Sequence, residues 1–438
     1  MLPRVLVVTY YFPPAGGPGV QRTLKTVKYL RDAGFEPVVL TVADGAFPSR
    51  DASLEADIPD GVEIIRTRAP DPFALYGRLT GAEAVPTGAV DRRGRLARAA
   101  LWARANVFLP DARVGWVPFA KLAGRRALGR AFRKQEPFAA VVTSGPPHSV
   151  HLVGRRLQRT GVPWVADFRD PWTGINFYDD LPMSRPARAL DRWLERRVLR
   201  GADAVTTVSP TWAARLAEAG DLPPSCVTVV HNGVDADDLA AAADVAVRDD
   251  AFVLAHVGSL YATRNPVAVW DAVRALRERG EAERLTIRLV GRTDAAVREA
   301  AEATGAPVEV VPYVTHREAV REQAASGLLL LSIEPFAADA GMITGKLYEY
   351  LASGRPTLAV GPVGGDAAAL LDETGGGRLF ARDDADGIAA EIRRHHDAWA
   401  AGAPVEGAPL DAVMPYTRRA QTLRLADVIR SLGDRPAL

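Results

Sequence analysis

Short apolar runs alternate along this chain with longer stretches whose apolar residues recur every three or four positions. The runs Val5 to Thr9, Pro37 to Thr41, Val62 to Thr67, Ala139 to Thr143, Val162 to Ala166 and Ala204 to Val208 have the length of strands. Helical patterns lie between most of them, the first over Val20 to Ala33 behind a Gly/Pro loop. A second series runs Phe252 to Val257, Thr286 to Val290, Val308 to Val311, Leu328 to Ile333 and Thr357 to Val360. Strands that alternate with helices pair in parallel and are covered on both faces, which predicts an α/β chain with two such sheets. Asp235 to Asp250, rich in Ala and Asp with no strand pattern, separates the series and sets the expected boundary. The reading is a first domain over 1–236, a second over 237–414, and a last segment, 415–438, whose helix (Thr417 to Leu432) follows the break at Met414-Pro415.

Size and charge narrow the function classes. A chain of 438 residues exceeds one ordinary core, in line with two domains. Its 54 Lys and Arg against 53 Asp and Glu leave a net charge of +1, which is not the balance of a nucleic-acid binder. The lone Cys226 excludes an internal disulfide framework and a cysteine-rich metal site. No apolar run is long enough to span a bilayer, and the opening residues read as a first strand rather than a signal peptide, so the expected location is the cytoplasm. One stretch departs from this balance. Residues 91–134 hold twelve Arg or Lys, only Asp91 and Asp111 as acids, and Trp102, Phe108, Trp116, Phe119 and Phe132 between them. A solvated helical face has such a composition, and so does a surface that rests on anionic lipid at the inner face of a membrane.

Candidate chemistry gathers where strands are expected to end. The segment Ile343 to Pro356 reads as a loop, a short helix and a Gly stop between two strands. Helix-start amides at Thr344 and Gly345 together with Lys346 face an anion, and Glu349 follows one turn on; a phosphate and a ribose diol would satisfy that set. Gly258 to Arg264 follows the first strand of the second series and places a Gly and a basic residue for a diphosphate, although a plain loop with a surface Arg reads the same way. Near the start, Pro13 to Arg22 contains Gly16 and Gly17, which let a backbone approach a ligand or simply make a tight turn; the dinucleotide-binding spacing of glycines is absent. Ser144 to His151 carries His148 and His151 three apart, read as a helix start with one His facing a cleft rather than as a metal pair. Asp167-Phe-Arg-Asp-Pro-Trp172 ends a strand and crowds Asp167, Arg169, Asp170 and Trp172 there, either as a cleft or as a salt-bridged turn. Asp235-Ala-Asp237 and Asp384-Ala-Asp386 resemble metal-holding triplets, but their positions favour helix capping.

Taken in order, these pieces resemble the family 4 glycosyltransferases of the GT-B fold over almost the whole chain. The resemblance rests on Gly16-Gly17, Thr207-Val-Ser209, Asn232 to Asp235, Val257 to Arg264, Val290-Gly291 and Lys346 to Pro356; Asp167 to Trp172, with Leu109 to Arg113 and Trp116, is similar to a bacterial subgroup. It implies two Rossmann-like domains facing a cleft, a nucleotide-sugar donor in the second and a hydroxyl acceptor in the first, and a last helix that returns to the first. It implies sugar transfer with retention and without a metal or other cofactor, in cell-surface polysaccharide or glycolipid synthesis. Arg264 and Lys346 would meet the donor diphosphate, Glu349 the ribose, and Gly17 the diphosphate from the other side. Val314, within Pro312 to Val314, would lie beside the base. Asp167 would orient the sugar or the attacking hydroxyl, and His148, Arg169, Asp170 and Trp172 would face the acceptor. The chain departs from the family at Gly341, where relatives often carry a Glu that touches the donor sugar. It departs again at Ser259, where many have Arg, and at Asp167, where many have His. A sugar-nucleotide epimerase and a non-catalytic sugar-nucleotide binder are the competing classes.

Overall fold

The computed structural model of the protein describes residues 2–45, 47, 49–70, 95–174, 178 and 180–433. The start of the basic stretch, 91–94, therefore lies outside the described residues. The chain packs as two units: Met1–His231 with Gln421–Leu438, and Asn232–Ala420. The first break thus falls ahead of the expected 236/237, and the second falls beyond the expected 414/415.

The first unit holds a seven-stranded parallel sheet of β1 (Arg4–Val8), β2 (Glu36–Val42), β3 (Glu63–Thr67), β4 (Phe138–Gly145), β5 (Trp164–Phe168), β6 (Ala204–Thr207) and β7 (Val227–Val229), in the order β3-β2-β1-β4-β5-β6-β7. The second unit holds six parallel strands: β8 (Phe252–Val257), β9 (Leu285–Val290), β10 (Val308–Val311), β11 (Leu328–Ser332), β12 (Thr357–Val360) and β13 (Gly377–Phe380), in the order β10-β9-β8-β11-β12-β13. The two-sheet α/β expectation holds. Central strands such as β5, β8 and β11 are buried along their whole length, as parallel strands covered on both faces must be.

Register decides what meets Asp167. It lies within β5 opposite Ser144 of β4 and opposite Thr206 of β6, so two hydroxyls flank a carboxylate inside the sheet. The helix Arg418–Gly433 packs Leu425, Ala426, Ile429 and Leu432 into the same apolar cluster as Val20, Leu24, Val27 and Leu30 of the helix Pro18–Tyr29. That first helix ends before the expected Ala33, and Pro18 suits its first turn, where no amide donor is needed. Two strands escaped the pattern, β7 and β13. Both are short edge strands, and β13 reads Gly-Arg-Leu-Phe, too brief for an apolar run to stand out.

Trp116 corrects the reading of the basic stretch. It is fully buried, donates from its indole to the Thr67 hydroxyl at 2.7 Å, and meets the Tyr10 ring edge-on. It belongs to the core, whereas Trp102, Phe119 and Phe132 are exposed. Both acidic triplets cap helices. Asp235 accepts from the Ala236 amide at 2.8 Å and Asp384 from the Gly387 amide at 2.9 Å. Among the described residues no helix is long and apolar enough to cross a membrane.

Candidate functional site

In an open parallel sheet, ligands bind beyond the carboxyl ends of the strands, where the strand order reverses. In the second unit that point lies between β8 and β11, and the predicted residues meet there. Gly258 follows β8 with φ +118°, and a Cβ on it would stand 2.3 Å from Cε and 2.5 Å from Nζ of Lys346. Only a glycine lets the lysine lie across this loop. Lys346 rises from the first turn of the helix Gly345–Ala352 and donates to the Ser259 carbonyl at 3.2 Å. Burial draws its pKa down to about 8, aided by the nearby Arg264 and opposed by Glu349. Thr344 precedes this helix without a side-chain cap bond, and its buried hydroxyl has no partner among the described residues.

Arg264 closes the turn Ala262–Arg264, and its carbonyl accepts from the Ser332 hydroxyl at 2.7 Å at the end of β11. Its guanidinium lies 5.5 Å from the Tyr261 ring centroid. Its Nε is 3.5 Å from Glu334 Oε2, an ion-pair distance without hydrogen-bond alignment, so this buried N–H has no acceptor among the described residues. His256 adds no charge: burial, with Lys346 beside it, lowers its pKa to about 3. Two cations thus converge at strand ends with an incompletely aligned carboxylate, and an anion is the group that would complete them.

One turn into the helix, burial raises the pKa of Glu349, and Gln323 Nε2 donates to its Oε2 at 3.2 Å. The carboxylate keeps acceptor capacity for hydroxyl donors such as a diol. Val314 is half-buried against the apolar cluster under this helix. Gly341, buried, ends the turn Asp339–Gly341 and offers no carboxylate; the neighbouring Asp339 is held by Arg382 at 2.8 Å.

In the first unit the order reverses between β1 and β4. The loop after β1 carries Gly16, packed on Ser49 and Asp51, and Gly17, whose φ of +97° turns the chain into the helix Pro18–Tyr29. Asp167, expected to orient the sugar or the attacking hydroxyl, is bonded on several sides. Arg22 grips its carboxylate with bonds of 3.0 and 2.7 Å, and Ser144 and Thr206 add 2.7 and 2.8 Å. Burial alone would raise its pKa, but the Arg22 charge and these bonds hold it below the usual range. Asp167 is a brace between the first helix and β4, β5 and β6. Arg169 is spent likewise, donating to the carbonyls of Gly19, Gly145 and Pro146. Asp170 is half-buried with its pKa raised by burial.

His148 and His151 are both buried. His148 stacks on Trp172 at 5.1 Å and 7°, and His151 on Phe168 at 4.3 Å. Burial holds His148 well below its usual pKa and brings His151 to about 3. His151 Nδ1 meets the Thr143 hydroxyl at 2.9 Å. A cavity of about 100 Å³ adjoins this stack, lined by Arg104, Leu109, His148, Trp172, Tyr178 and Asp191 among others. Trp172 and Tyr178 each donate to Asp191 at 2.9 Å, and burial pushes its pKa up to about 6.

The structure therefore gathers Gly258, Arg264, Thr344, Gly345, Lys346 and Glu349 in one unit, and Gly16, Gly17, His148, Arg169 and Trp172 around β1, β4 and β5 of the other. Arg22, Gln323 and Glu334 were missed. Glu334 directly follows the β11 run, a position where the strand-end rule looks for ligands. Nothing in the spacing marked Arg22 or Gln323.

Residues 16–233 match the model of the glycosyl transferase 4-like domain, and 251–397 that of glycosyl transferases group 1. A search of curated proteins found no match. Among solved structures, the chain is similar to a glycosyltransferase from Rickettsia africae ESF-5, with a TM-score of 0.64 and 12% identity over 99% of this chain and 100% of that one. It is similar to Anabaena HepE in complex with UDP and glucose, with a TM-score of 0.57 and 16% identity over 98% and 99%. It is also similar to a putative UDP-N-acetylglucosamine 2-epimerase from Listeria monocytogenes, with a TM-score of 0.52 and 14% identity over 100% and 98%. At such identities these likenesses establish the GT-B fold.

Proposed function

The chain belongs to the group 1 glycosyltransferases, and from that premise we propose that it moves a sugar from a nucleoside-diphosphate donor to a hydroxyl acceptor, with retention and without a metal ion. The observation that carries this reading is the cationic pair at the β8–β11 point: a half-buried lysine bonded to one carbonyl, and an arginine whose buried Nε finds no acceptor among the described residues. As the bond from the anomeric carbon to the diphosphate breaks, the leaving group gains charge. Lys346, Arg264 and the amides near Thr344 and Gly345 stabilise it, a role that a metal fills elsewhere. Glu349 takes the ribose hydroxyls and Val314 lies beside the base. The UDP and glucose bound to a protein of the same fold support this donor class.

His148, Arg169, Asp170 and Trp172 serve the acceptor side, where Arg169 shapes the loops and His148 and Trp172 wall the cavity. The acceptor is lipid-linked, in cell-surface polysaccharide or glycolipid synthesis on the cytoplasmic side of the membrane. The fold is shared with an epimerase, so fold does not separate the two classes, whereas both matched domains are transferase domains.

Calorimetric titration with a panel of nucleoside diphosphates tests the donor site. One is expected to bind, and Lys346→Ala to lose most of that affinity while staying folded. No binding of any of them to the wild-type chain would refute the reading. Incubating a nucleotide sugar alone and finding an isomerised sugar would favour the epimerase.

A further inference from the structure

The helix Arg185–Leu199 was not singled out in the sequence, because its acids balance part of its arginines. The fold removes that balance. Its two acids turn inward, Asp191 at 1% and Glu195 at 3% exposure. Asp191 takes the Trp172 and Tyr178 donors, and Glu195 takes the Thr173 amide and hydroxyl. What remains outward is Arg185, Arg192, Arg196 and Arg197 with Leu190 and Trp193, and the Arg197 guanidinium lies 4.9 Å from the Trp193 ring centroid.

Neighbouring helices repeat the arrangement. Val117–Arg133 and Ser149–Leu157 contain no acid and feed the same core cluster as Arg185–Leu199 on one face of the sheet. Val117–Arg133 exposes Phe119 and Leu122 beside Arg125 and Arg126. The helix Arg95–Asn106, also without an acid, is tied to the start of Arg185–Leu199. Asn106 accepts from the Ser184 amide at 2.7 Å and donates to the Pro182 carbonyl at 2.9 Å. Trp102 on the former is 53% exposed, and Trp193 on the latter 51%. Among the described residues, none of Lys121, Arg125, Arg126 and Arg192 has an acidic partner within 4.0 Å. Unpaired arginines interleaved with exposed Trp, Phe and Leu suit a surface that is anionic at its skin and apolar beneath.

We propose that the outward sides of these helices, Arg185–Leu199 foremost, seat the first unit on an anionic phospholipid bilayer. The cavity walls supply a reason for the location: Arg104 and Asp191 come from the two helices that Asn106 joins. A lipid-linked hydroxyl acceptor would then arrive along the surface on which the protein rests. The proposal extends the lipid-linked acceptor reading, yet its test uses no donor, so either can fail alone.

The test is co-sedimentation of the full chain with vesicles of phosphatidylcholine, with and without phosphatidylglycerol, over a salt series. Binding is expected only with phosphatidylglycerol and is expected to weaken as salt rises. Arg192→Gln and Arg196→Gln should each lower the partition coefficient about fivefold, and Trp193→Ala should lower it further, with nucleoside-diphosphate affinity unchanged in all three. Equal binding to both vesicle types, no binding to either, or anionic binding indifferent to all three substitutions would overturn it. So would tighter binding to duplex DNA than to the anionic vesicles.

Discussion

A lysine ammonium held largely out of water, with its pKa near 8, titrates within reach of ordinary assays. A bound diphosphate favours the charged form, so the pKa in the complex lies above that of the free protein. Donor affinity should be full below pH 8 and fall as pH rises through it. Calorimetry across that range checks the sign, and Lys346→Arg should flatten the profile because guanidinium does not titrate there. Glu349→Gln should weaken donor binding by roughly 1.5–3 kcal/mol, the worth of a hydrogen bond to a charged group. Asp167 gives the opposite expectation. Removing its charge strands Arg22 in the interior, so Asp167→Asn should cost about 3–5 kcal/mol of stability, read from denaturant unfolding. Unchanged stability with collapsed turnover would return Asp167 to the reacting centre. The residue type and the strand end were legible in sequence. What was not legible was the partner 145 residues away, since a bidentate arginine leaves no trace in spacing.

At the scale of elements, the β8 loop and the helix Gly345–Ala352 are fitted to each other through one missing side chain. Gly258→Ala should push Lys346 off the Ser259 carbonyl and add about 1–3 kcal/mol of backbone strain at this φ. Loss of nucleoside-diphosphate binding at retained helicity would bear this out, and wild-type affinity would contradict it. Long apolar runs made most strands readable, because buried parallel strands need nearly every residue apolar. The edge strands β7 and β13 were not readable, being three and four residues long. The helix Arg185–Leu199 shows a subtler limit. Its acids at 191 and 195 fall one turn apart on the side of Val198 and Leu199, so net charge hid a surface that the helical period would have uncovered.

At the scale of the molecule, each unit has its own apolar clusters, and the proposed donor residues other than Gly16 and Gly17 belong to Asn232–Ala420. A saturating nucleoside diphosphate should therefore raise the melting of that unit first, by about 2.7 kcal/mol at a hundredfold excess over Kd. Hydrogen exchange read segment by segment would show the protection; an effect confined to the first unit would be the wrong outcome. The packing of the last helix also carries a consequence for biosynthesis. Leu425 and Ile429 complete an apolar cluster that holds Leu24 and Val27, residues that leave the ribosome roughly 20 to 80 s earlier at ordinary elongation rates. The unit begun first is thus finished last, after Asn232–Ala420 has emerged entire. During that interval the nascent chain displays an uncovered strip of leucine and valine, a natural stretch for a chaperone to shield.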